Sequence, residues 1–133
     1  MPTTILSVGQ YGHPLLKGAK HWSFLLLKSD GIAIAYQITG STNTYEFKKP
    51  EEVIIKKTQT YLGKVDVGCI DEAKQDDLYE VLKRVEVKRG DVNWNCQNWI
   101  VEGLKALNEE GFEVDALTHD DIARKLRLAK RDE

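Results

Sequence analysis

Apolar and polar residues alternate with a period of two through much of the first half of this chain. In the second half they recur with a period near 3.6, which predicts strands followed by helices. Thr3 to Val8 is expected as a first strand, and Gly9 to Pro14 as a loop by its Gly and Pro content. Lys20 to Lys28 and Ile32 to Thr39 predict two further strands, joined by a hairpin through Ser29-Asp30-Gly31. A short strand is expected at Tyr45 to Phe47, and another over Gln59 to Ile70, where Tyr61, Val65 and Val67 fall on alternate positions. Val53-Ile54-Ile55 fits a strand or a helical turn equally well. From Asp71 to Arg84 the stripe Leu78, Val81, Leu82 and Val85 predicts a helix. A second helix carries Cys96, Trp99, Ile100, Gly103, Leu104 and Leu107 on one face and ends at Gly111, a C′ glycine with Phe112 beside it. A last helix starts near Thr118, where Thr118 and Asp121 resemble a capping box with Asp in place of Glu or Gln. Strands first and helices later predict an α+β fold, an antiparallel sheet packed against helices, in a single domain over residues 1–133.

The register of the first hairpin follows from segregation of its side chains. A two-residue turn at Asp30-Gly31 would pair Ser29 with Ile32; a three-residue loop with Gly31 left-handed would pair Lys28 with Ile32. The second choice puts Trp22, Phe24, Leu26, Ile34, Tyr36 and Ile38 on one face. His21, Ser23, Leu25, Leu27, Ala33, Ala35, Gln37 and Thr39 fall on the other. A slip of one residue would mix the two sets, so the three-residue loop is expected. It places Gln37 opposite Ser23 and diagonal to His21, roughly 5–8 Å away on the same side of the sheet.

Composition adds limits. The chain is 41% hydrophobic and 30% charged with a formal net charge of −2, which gives no strongly basic face for nucleic acid. No apolar run approaches the roughly 18 residues of a membrane span, and the first residues lack the charged start and apolar length of a signal peptide. A cytoplasmic setting with reduced thiols is therefore expected for Cys69 and Cys96, which form no CxxC pair. The His and Cys residues show no metal-ligand spacing, and no cofactor is implied.

The chemistry concentrates at Asp91-Val92-Asn93-Trp94-Asn95-Cys96-Gln97-Asn98-Trp99-Ile100. Asn93 or Asn95 can cap the helix, which puts Cys96 in its first turn. There the free N–H groups and the dipole favour a thiolate. A cysteine at a helix start, a histidine on a strand and a polar side chain on the next strand are the parts of a thiol hydrolase. Cys96 is the candidate nucleophile, His21 the base and Gln37 the group that orients the imidazole. The Cys96 N–H gives one oxyanion donor, with the amide of Asn93 or Gln10 as a second, and Trp22 and Trp94 are candidate walls of a substrate groove.

His21-Trp22-Ser23-Phe24-Leu25 precedes Trp94-Asn95-Cys96-Gln97-Asn98-Trp99 along the chain. That order resembles the circularly permuted papain-like fold of the lecithin:retinol acyltransferase-like proteins and of the PPPDE peptidases that act on SUMO conjugates. In those groups an early strand His and a late helix Cys, often in an Asn-Cys-x-x-aromatic context, form the site. The nearest likeness is to small fungal proteins with a His-Trp-Ser strand and a Trp-Asn-Cys-Gln-x-Trp helix, and it covers about His21 to Phe112. The resemblance implies a hydrolase, thiol protease or acyltransferase acting on a peptide, protein or acyl substrate, with Cys96 as nucleophile and His21 as base. The acyltransferase-like members carry a His at the third position, and Gln37 departs from that.

Each residue also has a plainer reading. Cys96 lies on the apolar stripe and suits a core. An inactive papain-like module holding a peptide or protein partner is thus the alternative to the enzyme. Cys69 reads as a packed small hydrophobe, His13 as a surface residue and His119 as a solvated one. The basic stretch from Arg124 to Arg131 matches the dipole of a helix C-terminus, so nucleic acid is not an expected partner.

Overall fold

The computed structural model describes residues 2–12, 20–29, 31–55 and 60–129. The described chain forms an α+β fold, a six-stranded antiparallel sheet with three helices. The strands are β1 (Thr3–Tyr11), β2 (His21–Ser29), β3 (Ile32–Thr39), β4 (Glu46–Ile54), β5 (Tyr61–Asp71) and β6 (Glu113–Val114). The helices are α1 (Gln75–Lys83), α2 (Cys96–Glu109) and α3 (His119–Leu128), and the strand order is β4-β3-β2-β1-β5-β6. Among the described residues no helix is long and apolar enough to cross a membrane.

The period-two pattern selects the faces. Leu6 and Val8 of β1, Trp22, Phe24 and Leu26 of β2, and Tyr36 and Ile38 of β3 point into the main core. Leu78, Val81 and Leu82 of α1, Trp99, Ile100, Leu104 and Leu107 of α2, and Ile122 and Leu126 of α3 meet them there. Each such side chain, taken fully out of water, contributes about 1.5–3 kcal/mol, so α2 is held chiefly by its stripe. The opposite sheet face carries a smaller cluster of Leu25, Ala33, Ala35, Ile55 and Tyr61.

β2 and β3 pair from Leu27↔Ala33 to Phe24↔Tyr36 in the register of the three-residue loop. At the tip, however, Ser29 pairs with Ile32 across an irregularity, so the expected Lys28–Ile32 pair does not form. Gly31 is left-handed, with φ of 78°, as the turn requires; Asp30 lies outside the described residues. β4 is one continuous strand that joins most of the two segments expected apart, Tyr45–Phe47 and Val53–Ile55. Its middle carries Lys48, Lys49, Pro50, Glu51 and Glu52, because it is an edge strand. Charge and proline there discourage pairing with another chain. The first predicted helix starts as a 3-10 turn at Glu72–Lys74, capped by Asp71, before α1 proper.

β6 returns the chain from α2 to α3 and packs closely on β5. A Cβ at Gly68 would lie 2.3 Å from the Glu113 carbonyl oxygen and 2.8 Å from the Val114 Cα. Since both are backbone atoms, Gly68→Ala is expected to displace β6 and to destabilise the fold by about 1–3 kcal/mol, read as a lower melting temperature. An unchanged melt would contradict this packing.

Candidate active site

Two local devices fix the start of α2. Asn95 is the N-cap: its side-chain oxygen accepts from the Gln97 N–H at 2.9 Å, and the Asn98 side chain accepts from the Asn95 N–H, also at 2.9 Å. At the other end the Phe112 N–H donates to the Leu107 carbonyl and the Gly111 N–H to that of Asn108, which completes a Schellman motif. Cys96 is accordingly the first residue of the helix, as expected.

The sheet opens where this helix arrives. The β2–β3 pairing ends at Phe24↔Tyr36, and the start of β2 and the end of β3 continue past it. A cleft of about 400 Å³ there is lined by Lys20, His21, Ile38, Thr39, Gly40, Tyr45, Asn95 and Cys96. The structure thus brings His21 and Cys96 to one cleft from positions far apart in the chain.

The third candidate also arrives. His21 Nε2 lies 2.5 Å from Gln37 Oε1. An amide oxygen only accepts, so Nε2 carries the hydrogen and donates it, which leaves Nδ1 with the lone pair of a base. Gln37 thereby sets the tautomer and pins the ring. The ring also lies 6.3 Å from that of Tyr11, its β1 neighbour.

The sulfur sits against the backbone on either side of His21. The thiol donates weakly to the Lys20 carbonyl at 3.9 Å, and the N–H groups of Trp22, Cys96 and Gln97 point toward the sulfur. The expectation of a readily formed thiolate is corrected here. Cys96 is only 8% exposed, and its burial pushes the thiol above its ordinary value, outweighing those three N–H groups. Cys96 is thus held toward the neutral thiol.

Other expected site residues lie elsewhere. Asn93 is exposed in the turn before α2, where its N–H donates to the Asp91 carboxylate, and it does not line the cleft. Asn95 lines the cleft instead. The Gln10 oxygen accepts from the Trp22 indole N–H at 3.2 Å, so Gln10 serves Trp22 and not the cleft. Trp22 itself is 1% exposed, a core residue and not a groove wall. Trp94 is buried as well; it packs edge-on against Tyr45, which walls the cleft, while its own exposed edge belongs to a separate groove with His119.

One of the plainer readings changes, and that of His119 as solvated holds with added partners. Cys69 is exposed on β5 and not packed, since it falls on the strand's outward face beside the edge. His119 is half-exposed but tied down: its Nε2 bonds Gln97 Oε1 at 2.7 Å and its ring stacks on Trp22 with centroids 5.0 Å apart. His13 lies outside the described residues. Tyr45 lines the cleft and Gln97 and His119 contact its neighbours, none of them an expected site residue. Burial and the nearby Cys96 hold the Tyr45 phenol above its ordinary value.

A family model, that of a family of unknown function (DUF6540), matches residues 14–112, and the chain belongs to that family. No curated protein and no solved structure matches the chain.

Proposed function

We propose that this member of DUF6540 is a thiol-dependent hydrolase or acyltransferase that cleaves an amide, ester or thioester through Cys96. One observation carries the reading: Cys96 and His21 line a single cleft, with the His21 ring fixed by Gln37 at 2.5 Å. In this reading His21 Nδ1 takes the thiol proton as the sulfur attacks the substrate carbonyl. The resulting oxyanion is met by the Cys96 N–H and the Asn95 amide at the helix start. The imidazolium returns its proton to the leaving group, which departs with the bond's electron pair and leaves a thioester on Cys96. Water or a second nucleophile, deprotonated by His21, then releases the acyl group. Gln37 is neutral, so it holds the ring without offsetting the imidazolium charge. The order of His strand and Cys helix supports a permuted papain-like arrangement, and two free thiols suit a reducing intracellular setting.

The test is turnover of a panel of aryl esters, thioesters and peptide anilides. Because the thiol is held above its ordinary value, the rate is expected to climb with pH from 7 to 9 as thiolate becomes available. A flat profile over that range would show that no thiol ionises in the rate-limiting step. Complete inertness toward every member of the panel would favour the second reading, an inactive module.

That second reading draws on the burial of Cys96 in the main core. Its binding surface would be the groove of about 510 Å³ lined by Trp94, Asn98, Val101, Lys105 and His119. A Cys96→Ala protein that loses stability while the parent lacks any Cys96 reactivity would support it.

A further inference from the structure

Gln97 is a buried polar residue that the chemistry above does not use. Its side chain leaves the first turn of α2 and reaches the start of β2, where Nε2 donates to the Lys20 carbonyl at 2.8 Å. The same carbonyl is the weak acceptor of the Cys96 thiol. Its Oε1 is the partner of His119 Nε2 at 2.7 Å. Because that oxygen accepts, the His119 bond dictates which way the amide faces and directs the NH₂ end at Lys20. His119 in turn rests on Trp22, and the Trp22 backbone N–H points at the sulfur. Contacts therefore run from α3 through Gln97 to the Lys20 carbonyl, and from His119 directly to Trp22, whose backbone also meets Cys96.

We propose that Gln97 is a positioning residue that clamps the start of β2 against the Cys96 sulfur, with His119 of α3 as the group that orients it. The proposal rests on the thiol-site reading for its purpose, although its physical content concerns Cys96 alone. With the clamp in place the Lys20 carbonyl is engaged by a stronger donor than a thiol, and the Trp22 N–H is held on the sulfur. Without that donor the S–H takes a larger share of the carbonyl and the N–H is less fixed. Both changes favour the neutral thiol, so loss of the clamp lowers the thiolate fraction.

Cysteine labelled with ¹³C at Cβ reports ionisation by NMR without a probe entering the cleft, and the Cys96→Ala spectrum assigns the two signals. Gln97→Met keeps the volume and removes the amide. It is expected to lower the Cys96 thiolate fraction at a given pH by about three- to tenfold, the worth of one hydrogen bond. His119→Ala, at an exposed helix start, is expected to move the curve the same way by less, and it carries the test should Gln97→Met fail to fold. Titration of Cys96 unchanged in both folded variants would overturn the proposal, because filling space alone would be satisfied by methionine. The outcome is separable from the functional reading: a clamp that shifts the thiol in a protein that turns over no acyl substrate leaves the clamp standing and the enzyme refuted.

Discussion

Replacing Cys96 by alanine is expected to abolish acyl turnover, with kcat/KM falling by at least about 10³-fold. In the proposed mechanism the sulfur is the attacking atom, and without it the thioester intermediate cannot form. Cys96→Ser should be nearly as inactive, since its hydroxyl ionises far less readily than a thiol. Stability should change little, by about 1 kcal/mol, because the side chain is small and the helix start is held by Asn95 and Asn98. The measurement is steady-state turnover beside a denaturation curve for each protein. Full activity in Cys96→Ala would sink the assignment outright. Exposed Cys69 makes a Cys69→Ala background necessary, since that thiol will react with electrophiles on its own account.

The second large effect is structural. Trp99 is fully buried three residues beyond Cys96, with its ring 5.7 Å from that of Phe24 and 5.9 Å from that of Phe47. Trp99→Ala would open a large cavity beneath the first turns of α2 and is expected to cost about 3–5 kcal/mol. Its indole N–H has no hydrogen-bond partner among the described residues. Trp99→Phe therefore removes an unsatisfied donor while keeping an aromatic ring, and its cost should stay below about 1.5 kcal/mol. Chemical denaturation resolves the two. Equal losses would mean that the indole N–H, and not the packing, matters at this position.

Much of this arrangement could be read from the residues. β2 and β3 announced themselves because one face of each is continuously apolar, and that segregation also chose their register. The register in turn places Gln37 within reach of His21. α2 was legible from its stripe, its Asn cap and Gly111. β4 was not, because an edge strand needs no continuous buried face, and Lys48 to Glu52 conceal the strand behind charge and proline. β1 was cut short at Gly9, although the strand runs on to Tyr11. Within the site, the errors share a cause. Gln10, Trp22, Gln97 and His119 meet across four elements, and no spacing rule encodes such contacts. The thiol's state failed for a similar reason: the helix start was visible in the sequence, whereas the burial that outweighs it depends on how α2 docks.

The account stands on cooperation between His21 and Cys96 in one solvent-reachable cleft. Its most direct test is labelling with a small peptidyl chloromethyl ketone at neutral pH in the Cys69→Ala background, with the modified residue located by tandem mass spectrometry. The account predicts that Cys96 takes the label and that His21→Ala slows labelling by at least about tenfold, as expected when a general base is removed. A Cys96 that stays unmodified, or that is labelled equally fast in His21→Ala, would contradict it.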